Sequence, residues 1–203
     1  MMRRAFFLTF EGIDGCGKST QAERLKRALT ERLFPVTHTF EPGGTMLGRK
    51  LRMILVHDEL NLSLFSEVLL FAADRRQDID EIINPALERG DIVIGERFAD
   101  SSVAYQGVAG RVGKERVERL MDIVTSGLAP DLTLLLDIDP RISLARKTDL
   151  DRIEQRGSFL DVVRHAFLDI ATSQPGRWVI IDAARPADDV FSDVLKTVLK
   201  RLE

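Results

Sequence analysis

At 203 residues, 44% hydrophobic and 30% charged, the chain has the composition of an ordinary globular protein rather than a disordered or fibrous one. Its formal net charge of −3 argues against nucleic acid as a partner, so any phosphate recognition has to be local. A single cysteine excludes an internal disulfide and fits a reducing compartment. Met1 to Thr9 reads straight into a core strand without a signal-peptide pattern, and no apolar run is long enough to cross a bilayer, so the expectation is a cytoplasmic protein with no membrane partner.

In chain order, Ala5 to Phe10 is an apolar, β-prone run. It leads into Gly12-x4-Gly17-Lys18-Ser19, the Walker A spacing, and Ala22, Leu25, Leu29 and Leu33 then recur at helical spacing. Strand, glycine loop and helix in that order form a phosphate cradle. The glycines let successive backbone N–H groups turn inward, and the helix start aims its dipole at the same anion. The ATP-binding candidates are therefore Gly12, Ile13, Asp14, Gly15, Cys16, Gly17, Lys18, Ser19 and Thr20. Lys18 is placed to bridge the β- and γ-phosphates, and Ser19 to hold Mg²⁺ through its hydroxyl.

Val36 to Phe40 reads as a second strand, ended by the turn Glu41-Pro42-Gly43-Gly44. Leu47, Leu51, Ile54 and Leu55 mark a helix, and Ser63 is a candidate cap for a longer one running to Arg89, with a bend expected near Pro85. Ile92-Val93-Ile94, Leu132 to Leu136 and Trp178 to Ile181 are buried-strand signatures. Val117, Leu120, Met121 and Val124 give one further helix, and Val190, Val194, Leu195, Val198 and Leu199 the closing one. Alternating strands and helices predict a doubly wound α/β fold, a parallel five-stranded sheet with helices on both faces, in one domain over residues 1–203. In such sheets ligands bind beyond the carboxyl ends of the strands, which makes the strand-end segments the ones to read for chemistry.

Glu96-Arg97 ends the third strand. The acid suits a Mg²⁺-orienting role and Arg97 a phosphate contact, or the two are a surface pair. In the hydroxyl-rich stretch that follows, Ser102, Tyr105 and Gln106 are placed either to line a sugar and base or to cap the next helix. Phe71 and Arg75 share a helix face and suit base stacking with a carbonyl contact, although Phe71 also continues the apolar stripe and Arg75 can snorkel. Arg146 to Gly157 carries four cations among three carboxylates, as either a solvated loop or a closing lid.

Six segments together resemble thymidylate kinase, and the likeness covers almost the whole chain. They are Phe10 to Thr20, Glu41-Pro42-Gly43-Gly44-Thr45, Phe71-Ala72-Ala73-Asp74-Arg75, Glu96 to Gly107, Pro130-Asp131-Leu132-Thr133 and Asp151-Arg152-Ile153-Glu154. The resemblance implies a P-loop kinase fold and Mg²⁺-dependent transfer of the ATP γ-phosphoryl to dTMP, giving dTDP and ADP, in a protein that is often a homodimer. Position by position it implies Phe71 on the thymine ring, Arg75 on its O4, Tyr105 against the deoxyribose, and Gln106 and Ser102 lining the base pocket. Arg97 falls to the acceptor phosphate, and Asp14 to the acceptor 3′-OH or the magnesium. With no arginine at positions 13 to 16, the catalytic cation is expected from the lid, among Arg146, Lys147, Arg152 and Arg156. Five positions depart from the family pattern, one of them Lys147, which stands where a lid arginine is typical. Glu96 and Phe98 stand where aspartate and tyrosine are usual, Phe40 where an arginine is common, and Phe167 where a tyrosine is common. A GTP-dependent switch would carry Asn-Lys-x-Asp and an Asp-x-x-Gly outside the P-loop, and neither occurs here. Another nucleotide kinase of this fold, or a nucleotide-binding protein without catalysis, remains as an alternative.

Overall fold

The computed structural model describes residues 5–57, 60–146 and 158–203. Five strands form one parallel sheet in the order β2-β3-β1-β4-β5. They are β1 (Phe6–Glu11), β2 (Val36–Phe40), β3 (Ile92–Glu96), β4 (Leu132–Asp137) and β5 (Trp178–Asp182). Registry is set by pairs such as Phe10 with Glu96 across β1–β3 and Glu11 with Leu135 across β1–β4. Every residue of β1 and β3 is buried, so both faces of the sheet centre are covered. This is why those strands read as unbroken apolar runs instead of alternating ones.

The helices are α1 (Lys18–Glu31), α2 (Met46–Arg52), α3 (Leu64–Asp78), α4 (Asn84–Glu88), α5 (Ala99–Ser102), α6 (Lys114–Thr125), α7 (Pro140–Ala145), α8 (Phe159–Ser173) and α9 (Ala187–Leu202). Helices α1 and α9 pack on each other, tied by Arg24 to Asp188 at 2.6 Å. The larger core gathers β1, β3 and β4 with α1, α8 and α9, and a smaller one joins Phe7, Ile79, Ile83, Ala86, Val93 and Phe98. Three helices continue as wider, π-helical turns at Met53–His57, Ile79–Ile83 and Val103–Ala109. The bend expected near Pro85 is one of these turns followed by α4, with Pro85 at its start, where a missing N–H costs nothing. Ser63 caps α3 as its sequence position predicts, accepting from Ser66 N at 3.1 Å. Thr45 caps α2 in the same way, accepting from Gly48 N at 2.9 Å.

The turn after β2 is folded onto α2 and α3 through glycines with no room for a side chain. A Cβ at Gly48 would strike Asp74 Oδ1 and lie 3.1 Å from Gly43 N, and Asp74 Oδ1 is itself the acceptor of Gly43 N. Two effects therefore compete in Gly48→Ala. Helix propensity favours alanine by about 1 kcal/mol, while overpacking costs about 1–3 kcal/mol. Packing should win because the displaced atoms are a buried carboxylate and backbone. Gly48→Ala is expected to lower Tm by about 2–4 °C in a thermal melt, for a net loss near 1 kcal/mol. A rise in Tm would mean that the turn is free to move away.

Candidate active site

The loop between β1 and α1 has the turned backbone anticipated from its glycines. Gly12 has φ 136 and Gly15 φ 76, and a Cβ at either would collide with Leu136 O or with Ser143. Lys18 is buried and curls back, its Nζ donating to Gly12 O at 3.0 Å and Ile13 O at 2.8 Å. These are carbonyl contacts that a phosphate oxygen can replace. Ser19 opens α1 and donates from its hydroxyl to Glu96 Oε2 at the end of β3. Around the loop, Gly15 to Thr20, Arg146 and Ala183 to Ala187 line a cavity of about 800 Å³.

A second cavity, of about 710 Å³, opens on the other side of Asp14, Lys18 and Ser19. Phe71, Arg75, Arg97, Ser102, Tyr105 and Gln106 all line it, so the fold brings two separate sequence segments to the P-loop. The turn Val103–Ala109, unanticipated from spacing, carries Tyr105 and Gln106. Gln106 donates to Glu67 Oε1 at 2.9 Å, and Tyr105 hydroxyl to Asp14 Oδ2 at 3.2 Å. Arg97 has φ 71, a conformation that arginine rarely adopts. It is held there by Phe10 O accepting from its backbone N at 2.9 Å, and by side-chain donation to Gly12 O at 3.2 Å, Ser101 Oγ at 3.0 Å and Asp14. Burial opposes its charge, but Asp14, Tyr105 and Glu11 together hold the guanidinium firmly protonated. Glu96 and Arg97 are thus not a surface pair: one points to the P-loop hydroxyl and the other into the second cavity.

Arg75 does not snorkel. It is 1% exposed, and all five of its N–H donors are engaged. Nε gives 2.8 Å to Glu41 Oε2, and the two terminal nitrogens reach Glu41 Oε2 at 2.6 Å, Phe98 O at 2.8 Å, Ser102 Oγ at 2.9 Å and Met121 Sδ at 2.7 Å. Burial pushes the Glu41 carboxyl up, Arg75 opposes that, and Asp78 and Asp74 add to it. Burial likewise raises Asp74 to about 6 and Asp78 to about 7.

A family model described as thymidylate kinase matches residues 10–194. The chain belongs to the thymidylate kinase family. Among its relatives, thymidylate kinase of Thermosipho africanus is 42% identical over 97% of this chain and 99% of its own length. That of Ralstonia nicotianae is 46% identical over 94% of this chain and 96% of its own. The crystal structure of thymidylate kinase from Ehrlichia chaffeensis superposes with a TM-score of 0.81 at 35% identity, covering 96% of this chain and 98% of that one.

The departures from the thymidylate kinase pattern have structural settings. Phe98 is 1% exposed and meets Phe7 edge-on at 5.1 Å, so the position is core and has no use for a hydroxyl. Phe167 is buried between Tyr105 and Trp178, and backs the Tyr105 ring at 6.1 Å between ring centres. Phe40 is half-exposed on the rim of the second cavity, where Arg49 and Arg52 supply the positive charge. Of the lid residues, Arg146 donates to Ala183 O at 3.1 Å beside the first cavity, whereas Lys147, Arg152 and Arg156 lie outside the described residues.

Two contributors escaped the sequence reading, His38 and Glu11. His38 on β2 faces Glu96 at 2.9 Å. Glu11, the last residue of β1, is fully buried, with Oε1 accepting from Phe98 N at 2.8 Å and Oε2 from the Ser101 hydroxyl at 2.6 Å. It pins both ends of the turn that holds Arg97. Only the apolar run preceding it signalled that an acid there would be buried.

Burial, then the Asp100 carboxylate, raises Glu11 from 4.5 to about 7. Below about pH 4.5 the acid is protonated in both folded and unfolded chains, and burial then incurs no charge penalty. Between those values the unfolded chain releases its proton first, so this group's contribution to stability falls as pH rises and levels off above about pH 7, at up to roughly 1.4 kcal/mol per pH unit. Glu11→Gln keeps the shape and removes the titration. Its urea midpoint, measured from about pH 5 to about pH 8, should decline less than that of the parent protein. Parallel declines would show that Glu11 stays ionised in the folded state across this range.

Proposed function

We propose that this protein phosphorylates dTMP to dTDP with the γ-phosphoryl group of ATP, a step in dTTP synthesis, using the two cavities that meet at Asp14, Lys18 and Ser19. The observation that carries the reading is their juxtaposition: a P-loop on one side and, on the other, a pocket combining Phe71, Arg75, Arg97, Ser102, Tyr105 and Gln106. A phosphoryl acceptor seated in that pocket presents its phosphate to the strand ends where the P-loop lies.

In this scheme an oxygen of the dTMP phosphate attacks the γ-phosphorus in line. A P–O bond forms, the bond to the β-phosphate oxygen breaks, and ADP leaves with that electron pair. Lys18 exchanges its Gly12 and Ile13 carbonyl contacts for the β- and γ-phosphates. The backbone of Gly12 to Thr20 and the start of α1 hold the remaining phosphate oxygens. Arg97, already protonated and fixed by Asp14, binds the acceptor phosphate, and Tyr105 closes against the deoxyribose. Phe71 supplies the ring on which thymine stacks, and Gln106 and Ser102 line its edge. For Arg75 to reach thymine O4 one donor must change partner, and the one on Met121 sulfur has the weakest acceptor of the five.

Mg²⁺ fits the residues present. Among the described residues no three His, Cys, Asp or Glu side chains converge on one point. Mg²⁺ needs no such cage, because it keeps waters and takes one or two protein oxygens beside the phosphates. Ser19 hydroxyl and Glu96 carboxylate, already in contact, supply those oxygens. Burial pushes Glu96 up, but hydrogen bonds from His38 and Ser19 outweigh it and hold the carboxyl below its ordinary value, ready to bind a cation. When bound, the metal neutralises phosphate charge during transfer.

Residues 1–203 form one kinase domain in this reading, with segment 146–157 as its lid, where Lys147 and Arg152 supply the catalytic cations. The buried free thiol of Cys16 supports a cytoplasmic setting, and among the described residues no helix is long and apolar enough to cross a membrane. The half-exposed Leu64 and Leu69 on α3 and the exposed Ile123 on α6, helices packed against each other, offer apolar surface to a homodimer.

ADP release with ATP and Mg²⁺ across the common nucleoside monophosphates tests the assignment. dTMP should be the fastest acceptor, dUMP slower and purine monophosphates near background. Equal turnover of AMP, CMP or GMP would refute a thymidylate pocket.

A further inference from the structure

His38 is on β2, one strand away from the P-loop helix, in a position no nucleotide-binding motif covers. Its ring is mostly buried, at 16% side-chain exposure, against a Glu96 side chain at 12%. Nε2 lies 2.9 Å from Glu96 Oε1, while the other oxygen of the same carboxylate, Oε2, accepts from the Ser19 hydroxyl. Because an ionised carboxylate only accepts, the ring carries its proton on Nε2. On the far side Nδ1 faces Glu23 Oε2 at 3.9 Å. Ser19 and Glu23 are four residues apart on α1 and therefore share a helix face. The result is a hydrogen-bonded path from Ser19 through Glu96 to His38, tying the first turn of α1 to β3 and β2, with Glu23 beyond hydrogen-bond distance of the ring.

We propose that His38 is a positioning residue for Glu96, anchoring Oε1 so that Oε2 alone is presented to Ser19 and to a divalent cation bound with the nucleotide. Glutamate has one more rotatable bond than aspartate, and an unanchored Glu96 would spread over several rotamers in a cavity of this size. The imidazole removes that freedom through one oriented hydrogen bond to the oxygen that the cation does not use. Outer contacts of this type orient ligating groups, and their loss typically weakens metal binding by about 10–100-fold. Strand register places His38 opposite Ile94 and Phe40 opposite Glu96, so the ring reaches forward by two residues to meet the acid. A shorter acid at position 96 would draw back from it.

The inference rests on the proposed Mg²⁺-nucleotide site, and its test uses Mn²⁺ as a paramagnetic probe titrated into the full-length protein with ADP and followed by electron paramagnetic resonance. His38→Phe, which fills the site without a donor, should bind Mn²⁺ roughly tenfold more weakly in the ADP complex and leave the KM for dTMP within about twofold. His38→Gln, which keeps an N–H of similar reach, should recover most of that loss. In a Glu96→Asp background the His38→Phe effect should shrink to about twofold or less, a coupling that a purely structural role would not produce. His38→Ala repeats the measurement if the phenylalanine variant does not fold. A folded His38→Phe or His38→Ala protein that binds Mn²⁺ as tightly as the parent overturns the proposal, as does an undiminished effect in the Glu96→Asp background. The two readings fail separately. A parent protein that ignores dTMP while His38→Phe weakens Mn²⁺ binding would refute the acceptor assignment alone, whereas unaltered Mn²⁺ binding by a folded His38 variant of an active dTMP kinase would refute the role of His38.

Discussion

The buried ion pair between Arg75 and Glu41 is the interaction on which the acceptor side of the molecule depends. Five donors from one guanidinium reach the turn after β2, the end of β3, α5 and α6, so four segments distant in sequence are held by a single planar group. Such a pair gains little relative to a well-packed apolar replacement, but removing one partner leaves a buried charge and costs about 3–5 kcal/mol. Its value lies in specification: two N–H groups of the planar guanidinium converge on Glu41 Oε2 and fix the turn relative to α3 in a way that a flexible lysine would not. Asp74 and Asp78 extend the arrangement. Thr39 donates to Asp78 at 2.6 Å and Gly43 N to Asp74 at 3.2 Å, so the turn is held at both ends.

The other end of the same cavity is built on a second arginine with the opposite logic. Arg97 sits in a left-handed backbone conformation that costs energy, and Glu11, Asp14, Ser101 and Tyr105 jointly enforce it. Strain held by several partners is a feature of sites where a side chain must be in place before the ligand arrives. A preorganised guanidinium binds a phosphate without first paying to order itself, and its contact with Asp14 links it to the P-loop. In the proposed function the two arginines divide the work: Arg75 shapes the base end of the pocket and Arg97 addresses the phosphate.

Much of this was legible in the sequence because the relevant signals are local. The central strands are buried on both faces and read as apolar runs, and the P-loop binds through backbone geometry, which its glycines announce directly. Spacing placed Phe71 and Arg75 on one helix face, as the structure has them, without deciding between a site and a core stripe. The environment of Arg75 was not legible, because its partners Glu41, Ser102 and Met121 are 34, 27 and 46 residues away. Strand order, the Glu11 anchor and the His38–Glu96 contact are likewise long-range pairings that no periodicity encodes. The π-helical turns were missed for a different reason. A single extra residue per turn at Val103–Ala109 shifts Tyr105 and Gln106 off the 3.6-residue repeat without any breaker residue marking the change. Phe98 shows the reverse case, a family departure that looked chemical and proves to be packing.

The central claim is that donor and acceptor halves are separately organised and meet at the P-loop lysine, and Lys18→Ala tests it most directly. The lysine's hydrogen bonds all go to loop atoms, so the variant should fold and bind dTMP by calorimetry with an affinity within about twofold of the parent. Phosphoryl transfer should fall by on the order of 10²–10³, the equivalent of about 3–4 kcal/mol of lost charge stabilisation. A folded Lys18→Ala protein that binds dTMP and turns it over at close to the parental rate would contradict the mechanism.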